Sequence, residues 1–203
     1  MEKNVIITIS RQFGSNGREI ARKLAEYLDI SYYNKEILER IAVNMGVCAD
    51  FFKDQNQDAN GLFTIESKGL LGLRNITELS VNSQIYDMAS DFIQKISQRE
   101  DAVIVGRCAD YIFRDHRNVL NIYIYAPVDA RYKNCVEVLK MKPEEATKMI
   151  YKVDKARTAY HKRYAKYAPG DPDSKQIMID SSMLGVRGTA EILAEIVQKR
   201  FGL

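Results

Sequence analysis

Hydrophobic positions follow two patterns along this chain. Three predominantly apolar runs, Val5 to Ile9, Ala102 to Val105 and Val119 to Tyr125, predict strands that are buried on both faces. Elsewhere apolar residues recur every three or four positions, which predicts amphipathic helices. These helices are predicted at Gly17 to Leu28, at about Thr77 to Gln98, at Asp129 to about Leu139, from Pro143 onwards, and at Val186 to Phe201.

Two shorter segments, Ile30 to Tyr33 and Ile177 to Ile179, are predicted as further strands. Apolar strands that alternate with helices predict an α/β fold, in which a largely parallel sheet carries helices on both faces. Ligands of such sheets bind at the carboxyl ends of the strands. Asp129 is predicted to cap its helix, and Pro143 to take the first position of a helix whose first turn is acidic.

One part of the chain departs from this alternation. Asn34 is predicted to cap a helix that stops at Gly46. Residues 53–75 are polar, rich in turn-forming residues and interrupted by glycines. This composition predicts an excursion over the surface.

Composition narrows the class of protein. The chain has 203 residues, of which 46% are hydrophobic and 28% charged, as expected for a globular domain. A net charge of +3 is too small to indicate nucleic-acid binding, but it is compatible with local arginines that meet a small anion. The three widely spaced cysteines form no zinc or CxxC motif, and no apolar run is long enough to span a membrane, so we expect a cytoplasmic protein.

The stretch ITISRQFGSNGREIA joins the first strand to the first helix through a glycine-containing loop. Such a loop can bind phosphate through backbone N–H groups and the helix N-terminus. Aligned on Gly17, it keeps one of the four defining positions of GxxxxGK[ST], with Arg18 at the lysine and Glu19 at the Ser/Thr position. Arg18 supplies positive charge, and Glu19 is a candidate Mg²⁺ ligand that also repels phosphate. A phosphate site and a plain strand-to-helix turn both remain open.

Two further motifs carry arginines. VIVGRCADYIF places Arg107 directly after a buried strand, where it is positioned to pair with a phosphate, and Asp110 is a candidate to orient it. VDKARTAYHKRYAKY interleaves basic residues with tyrosines on a helix, and Arg157 and Tyr160 share a face. Such a helix can close over transferring phosphates, although a solvated basic face is the commoner outcome. The two histidines are far apart in sequence, so the plausible metal is Mg²⁺ carried by a nucleotide.

These segments together resemble the cytidylate kinase-like proteins, a bacterial branch of the P-loop nucleoside monophosphate (NMP) kinase superfamily. The resemblance covers nearly the whole chain. The motifs that carry it, in the family's order, are ITISRQFGSNGREIARKLAEYL, YYNKEILERIA, VIVGRCADYIF, IYIYAPVDARYK, and DKARTAYHKRYAKY followed by IDSSMLG.

The resemblance implies one P-loop NTPase-type domain over residues 1–203, a three-layer α/β fold with a five-stranded parallel sheet. It also implies an NMP-binding region at about residues 34–74 and a helical lid at about residues 143–170. The activity implied is transfer of the ATP γ-phosphoryl group, with Mg²⁺, to a CMP-like nucleoside monophosphate. Small-molecule nucleotides are then the expected partners, without nucleic acid or membrane.

The motifs and the resemblance together assign roles to individual residues. The donor phosphates would be held by Gly14, Ser15, Asn16, Gly17, Arg18 and Glu19, with Glu19 also the candidate metal ligand. The catalytic arginines would be Arg18, Arg157 and Arg163. The acceptor side would be formed by Arg107, Asp110, Asp154 and Tyr160.

Some residues depart from the related enzymes. True cytidylate kinases have Lys and Ser/Thr in the phosphate loop, where this branch and this chain have Arg18 and Glu19. Asn16 stands where the branch usually has Gly, and His161 where a second Tyr is common. Two alternatives therefore stay open: a nucleotide-binding or regulatory protein with little or no catalysis, and a kinase for another small metabolite.

Overall fold

The computed structural model describes residues 4–34 and 74–203. Within these ranges it has five strands and six α-helices, numbered here in chain order. The strands are β1 (Ile6–Arg11), β2 (Ser31–Tyr33), β3 (Ala102–Val105), β4 (Val119–Tyr125) and β5 (Ile177–Asp180). The helices are α1 (Gly17–Leu28), α2 (Arg74–Ser97), α3 (Ala109–Ile112), α4 (Val128–Glu137), α5 (Pro143–Ala165) and α6 (Gly185–Phe201), with a short 3₁₀ helix at Pro172–Ser174.

The five strands form one parallel sheet in the order β2-β3-β1-β4-β5. Strand β1 lies at the centre, with Ile6 paired to Ala102 of β3 and to Val119 of β4. The segments that end β1, β3 and β4 therefore lie side by side at one edge of the sheet. This arrangement confirms the predicted parallel α/β fold.

Helices cover both faces of the sheet, and buried apolar side chains lie on each face. On one face Ile7 and Ile9 pack with residues of α1 and α6, among them Leu24 and Leu193. On the other face Ile6 packs with α2 and the segment after β3. Most of these side chains are fully buried. The result is the three-layer architecture that the resemblance implied.

Three expectations meet the structure differently. Asp129 does not cap α4: Pro127 is the N-cap, and Asp129 lies in the first turn, where the helix dipole still favours its charge. The Arg-Tyr helix ends at Ala165, because Lys166 turns into the left-handed conformation, so Tyr167 lies beyond it. The predicted helix after Asn34 and most of the predicted surface excursion, at residues 35–73, lie outside the described residues.

In the part of the chain that the structure describes, no helix is both long and apolar enough to cross a membrane.

Candidate active site

The loop between β1 and α1 has the backbone of an anion-binding turn. Gly14 (φ 79°) and Asn16 (φ 57°) adopt positive φ angles, and α1 begins at the next residue, Gly17. Asn16 is the N-cap of α1, but its side chain makes no capping hydrogen bond. The first N–H groups of the helix therefore remain uncapped by this side chain and point toward the loop, as binding of an anion at a helix N-terminus requires.

A cavity of about 360 Å³ opens above this loop. Three arginines line it: Arg11 at the end of β1, Arg18 in the first turn of α1, and Arg157 on α5. Glu19 supplies the only carboxylate among the described residues that line it. Another part of the wall is apolar and comes from the α4–α5 segment, with Leu139, Met141 and Met149. The cavity therefore combines three cations with an apolar wall, a chemistry suited to a phosphorylated organic molecule.

Buried hydroxyl groups hold the loop from below. Ser15 is 1% exposed, and its hydroxyl lies 3.0 Å from the Gln12 carbonyl oxygen and 3.2 Å from that of Ile124 on β4. Ser181, just after β5, donates a hydrogen bond of 2.7 Å to the carbonyl oxygen of Ser15. The Ser15 side chain is thus committed to the protein interior, and its backbone N–H is the group it can offer to a ligand.

A carboxylate on α5 clamps the loop from the side. Asp154 accepts a 2.7 Å hydrogen bond from the backbone N–H of Phe13 through Oδ1. Its Oδ2 accepts a 2.6 Å hydrogen bond from Nη1 of Arg131 on α4, which also lies 3.3 Å from the Phe13 carbonyl oxygen. Asn134 of α4 donates to the carbonyl oxygen of Gly14 at 3.0 Å. The loop geometry therefore depends on side chains from α4 and α5.

Arg157 lies one helical turn after Asp154. Its Nη1 donates a 3.1 Å hydrogen bond to the carbonyl oxygen of Arg11 and lies 4.0 Å from Asp154. Burial lowers the pKa of Arg157, the Asp154 carboxylate raises it, and the nearby positive charge of Arg18 lowers it. An arginine stays protonated under such shifts. Arg157 and Arg18 are two positive charges held close together in a partly buried site. An anionic ligand would relieve the repulsion between them, so the site favours binding of an anion.

The segment after β3 makes a tight turn beside the loop. Gly106, Arg107 and Cys108 have φ angles of 81°, 56° and 55°, so three consecutive residues are left-handed. Such a conformation is costly for non-glycine residues and often marks a functional turn. The turn places Arg107 near Tyr160 of α5: burial raises the pKa of Tyr160 to about 12, and the charge of Arg107 acts in the opposite direction. The predicted acceptor-side residues Arg107 and Tyr160 are therefore neighbours.

Aromatic rings lie next to Arg107 and Tyr160. Tyr164 lies against Tyr160, with ring centroids 4.8 Å apart, and stacks on Tyr86 of α2 at 4.1 Å. Arg163 is exposed, its guanidinium lies 5.5 Å from the centroid of the Tyr164 ring, and it does not line the cavity. Helix α5 thus presents Arg157 to the phosphate loop and Tyr160 and Tyr164 to the Arg107 side.

The predicted acceptor-side residue Asp110 lies in a buried ionic cluster. Its carboxylate accepts hydrogen bonds from Lys175 (2.6 Å) and from the hydroxyl of Tyr167 (3.1 Å), and Nε2 of His161 lies 3.0 Å away. Burial raises the pKa of Asp110, but the bonds to His161 and Lys175 outweigh it, and the net pKa is lowered. These contacts tie Asp110 to α5, to Tyr167 just beyond its end, and to the segment before β5.

Glu19 lies on the exposed face of α1. Its carboxylate accepts hydrogen bonds from Arg22 at 3.0 and 3.3 Å, and about half of its side chain is exposed. Among the described residues, no group of three or more His, Cys, Asp or Glu side chains is arranged to hold a metal ion. A Mg²⁺ ion here would need most of its ligands from a phosphorylated substrate and water, and Glu19 is the carboxylate within the cavity wall.

Three residues of the site were not predicted from sequence. Arg11 appeared as the polar end of a strand, although it lines the cavity. Arg131 and Ser181 appeared as an ordinary helix residue and a loop residue, although both hold the phosphate loop. Arg11 alone had a usable signal, because a charged residue at the carboxyl end of a buried strand lies where ligands of parallel sheets bind.

Solved structures share this architecture. An uncharacterized protein from Eubacterium ventriosum ATCC 27560 is 26% identical, with a TM-score of 0.72 over 97% of this chain and 100% of that chain. Shikimate kinase from Bacteroides thetaiotaomicron is 10% identical, with a TM-score of 0.53 over 98% of this chain and 99% of that one. Shikimate kinase from Acinetobacter baumannii, in complex with shikimate, is 11% identical, with a TM-score of 0.51 over 98% and 96%. The two shikimate kinases share the fold.

A comparison with curated proteins gave no match. The family comparison is decisive instead, because the model of the cytidylate kinase-like family matches residues 6–183. This span contains the glycine loop, the Gly106–Arg107 turn and the whole of α5. The chain therefore belongs to the cytidylate kinase-like family.

Proposed function

We propose that this protein transfers the γ-phosphoryl group of ATP, bound with Mg²⁺, to a nucleoside monophosphate, with a CMP-like molecule as the first candidate acceptor. The observation that carries the proposal is the convergence of Arg11, Arg18 and Arg157 on a cavity above a glycine loop. Family membership supports a phosphotransferase. The charge and the uncapped helix N-terminus fit the phosphates of a nucleotide.

The reaction needs positioning and charge neutralisation more than acid–base groups. An oxygen of the acceptor phosphate, already anionic near neutral pH, forms a bond to the γ-phosphorus. The bond from that phosphorus to the bridging oxygen breaks, and its electron pair stays on the β-phosphate. A proton transfer is not required. This agrees with a cavity lined by arginines and backbone N–H groups.

In this scheme one side of α5 contacts the donor phosphates and the other side contacts the acceptor. The loop N–H groups and Arg18 bind the donor phosphates, and Arg157 stabilises the charge of the transferring group. Arg107 binds the acceptor phosphate, with Tyr160 beside it. Arg163, exposed in this structure, joins the site only after a movement of the lid. Mg²⁺ supplies charge neutralisation on the donor phosphates, with Glu19 as a candidate contact through water.

A binding protein with little catalysis is the second candidate. It is favoured by the loop itself, which has neither the lysine nor the Ser/Thr of GxxxxGK[ST] next to its N-cap. A kinase that phosphorylates a different small metabolite is the third. The region around Arg107 favours the main proposal over the third candidate. Its tyrosine rings, Tyr86, Tyr160 and Tyr164, suit the flat base of a nucleotide better than a small non-aromatic metabolite.

One assay separates the three. The purified protein is incubated with ATP, Mg²⁺ and each of a panel of nucleoside monophosphates, and nucleoside diphosphate is measured. We expect diphosphate from at least one acceptor, with pyrimidine monophosphates preferred. Failure with every acceptor, while ATP still raises the melting temperature, would reject the kinase proposal and favour the binding protein. Turnover only with a hydroxyl-bearing metabolite would favour the third candidate.

A further inference from the structure

The missing lysine of the phosphate loop raises the question of what replaces its charge. In GxxxxGK[ST] the lysine directly follows the second glycine. A loop glycine is required where φ is positive. Here that conformation belongs to Asn16 (φ 57°), a residue type that tolerates it, whereas Gly17 is already the first residue of α1. By backbone conformation, Asn16 therefore occupies the second glycine position.

This register moves every equivalence by one residue. Gly17, instead of Arg18, then stands at the place of the lysine, and Arg11 stands at the place of the first glycine. Two positions have thus exchanged character. The position that normally carries a long cationic side chain has none, and the position that normally has no side chain carries an arginine.

The space around Gly17 explains the exchange. A Cβ atom added to Gly17 would lie 2.6 Å from Cβ and 2.9 Å from Cγ of Arg11. These distances are shorter than non-bonded carbon atoms tolerate, so Arg11 already fills the volume that a side chain at residue 17 would enter. An arginine at residue 11 therefore requires a glycine at residue 17.

The far end of Arg11 reaches the neighbouring turn. Its Nη1 atom lies 2.8 Å from the position of a Cβ atom added to Gly106, the first residue of the turn that carries Arg107. The guanidinium group therefore lies between the phosphate loop and the Arg107 turn. Arg18, in contrast, is exposed in the first turn of α1.

We propose that Arg11 performs the role of the absent loop lysine and binds the terminal phosphates of a nucleoside triphosphate. The inference rests on the proposed function for the identity of the donor. Its chemistry is a guanidinium that pairs with the β- and γ-phosphate oxygens and neutralises the charge left on the β-phosphate when the bridging bond breaks. Arg18 then contributes from the cavity rim.

The test is a reciprocal exchange of the two residues. Affinities for ATP and for AMP, each with Mg²⁺, are measured by calorimetry for Arg11→Gly, Gly17→Lys and the double variant. Arg11→Gly is expected to weaken ATP binding on the order of ten- to a hundredfold, because the variant loses a charged group that hydrogen-bonds to the β- and γ-phosphates. AMP lacks these phosphates, so its binding should weaken much less. Gly17→Lys alone should unfold at lower urea, because its side chain meets Arg11. The double variant should recover ATP affinity to within about tenfold of wild type.

Length and charge are separated by a second pair of variants. Arg11→Lys keeps the cation and should retain most of the ATP preference, whereas Arg11→Met keeps the stem without the charge and should lose it. Arg187→Ala, at an exposed arginine of α6 with 83% of its side chain accessible, is the matched control and should bind both nucleotides as wild type does.

Several results would overturn the inference: equal ATP binding by Arg11→Met and Arg11→Lys, equal losses for ATP and AMP, or a wild type without preference for ATP over AMP. The proposed function fails in a different way. Suppose that the wild type prefers ATP, that Arg11→Met loses this preference, and that no nucleoside diphosphate is formed. This result would reject the kinase activity and leave the role of Arg11 intact.

Discussion

Helix α5 is held by charged groups at two places, and the two places are built differently. Near the phosphate loop, Asp154 and Arg157 keep 25% and 23% of their side-chain surface exposed, and Arg157 faces a cavity. One turn later His161 enters a cluster in which the side chains of Asp110 and Lys175 are 1% and 0% exposed. The first place leaves cationic charge available to a ligand, whereas the second matches its charges within the protein.

The buried cluster fixes the helix through directional bonds. Nδ1 of His161 lies 2.9 Å from the carbonyl oxygen of Tyr167, and its Nε2 faces the Asp110 carboxylate. Both partners are hydrogen-bond acceptors, so the imidazole ring is held between two fixed groups. Lys175 adds hydrogen bonds to Asp110 and Ser174. The chain segments on either side of the helix end are thus tied to the turn after β3, and the cluster is a scaffold for the site.

The largest expected effect comes from breaking the buried cluster. Asp110→Ala leaves the ammonium group of Lys175 buried without its carboxylate, and we expect a loss of about 3–5 kcal/mol in the free energy of unfolding. Urea denaturation measures this loss. The double variant Asp110→Leu with Lys175→Met removes both charges and should recover much of it, because an apolar pair of similar size carries no desolvation cost.

A loss below about 1 kcal/mol in Asp110→Ala would contradict the scaffold role. The sequence-based hypothesis that Asp110 contacts the acceptor makes a different prediction. In that case Asp110→Asn, which keeps the shape of the side chain, would raise KM for the acceptor much more than it lowers stability.

The loop side of α5 should respond in activity more than in stability. Arg157→Ala removes a partly exposed cation that lines the cavity, and we expect kcat to fall on the order of 10²-fold or more. Its hydrogen bond to the Arg11 carbonyl oxygen should contribute only about 1 kcal/mol to folding. Steady-state kinetics with ATP and the preferred acceptor measures the first effect, and urea denaturation the second.

Lys155→Ala is the matched control for this variant, because Lys155 is an exposed cation on the same helix that does not line the cavity. It should change kcat little. If both variants lose activity to the same extent, the effect comes from the net charge of the helix, and the specific role of Arg157 is wrong.

The buried strands and the helices packed on them were predictable because their signals are local. The bounds of β3, β4 and α1 match the sequence prediction, since each is a largely apolar run or a regular apolar face between turn residues. The Asp129 cap was wrong because the helix already begins at Val128, and the N-cap is Pro127, whose ψ of 149° is the extended conformation of an N-cap residue.

The charged contacts were less predictable, because their partners are distant in sequence. Asp110 meets His161 and Lys175, which are 51 and 65 residues away. The sequence offered Asp110 only as a candidate to orient Arg107, because nothing in it shows that the fold brings His161 and Lys175 to the same carboxylate. Arg11 had a usable signal at the end of a buried strand, but the packing of its side chain against Gly17 is visible only in the three-dimensional structure.

The smallest expected effect concerns Glu19, which lies on the exposed surface at the rim of the cavity. Glu19→Gln removes an exposed ion pair with Arg22, and we expect stability to change by only about 0.3–0.5 kcal/mol. As a water-mediated contact to Mg²⁺, its carboxylate would matter modestly, since the phosphates already hold the ion. The Mg²⁺ concentration for half-maximal activity should therefore rise, but by less than about tenfold. Titration of Mg²⁺ at fixed ATP measures this shift.

Arg22→Ala is the control, because it frees the Glu19 carboxylate without removing it. Its Mg²⁺ midpoint should be unchanged or lower. An identical midpoint in Glu19→Gln and wild type would show that Glu19 does not contact the ion.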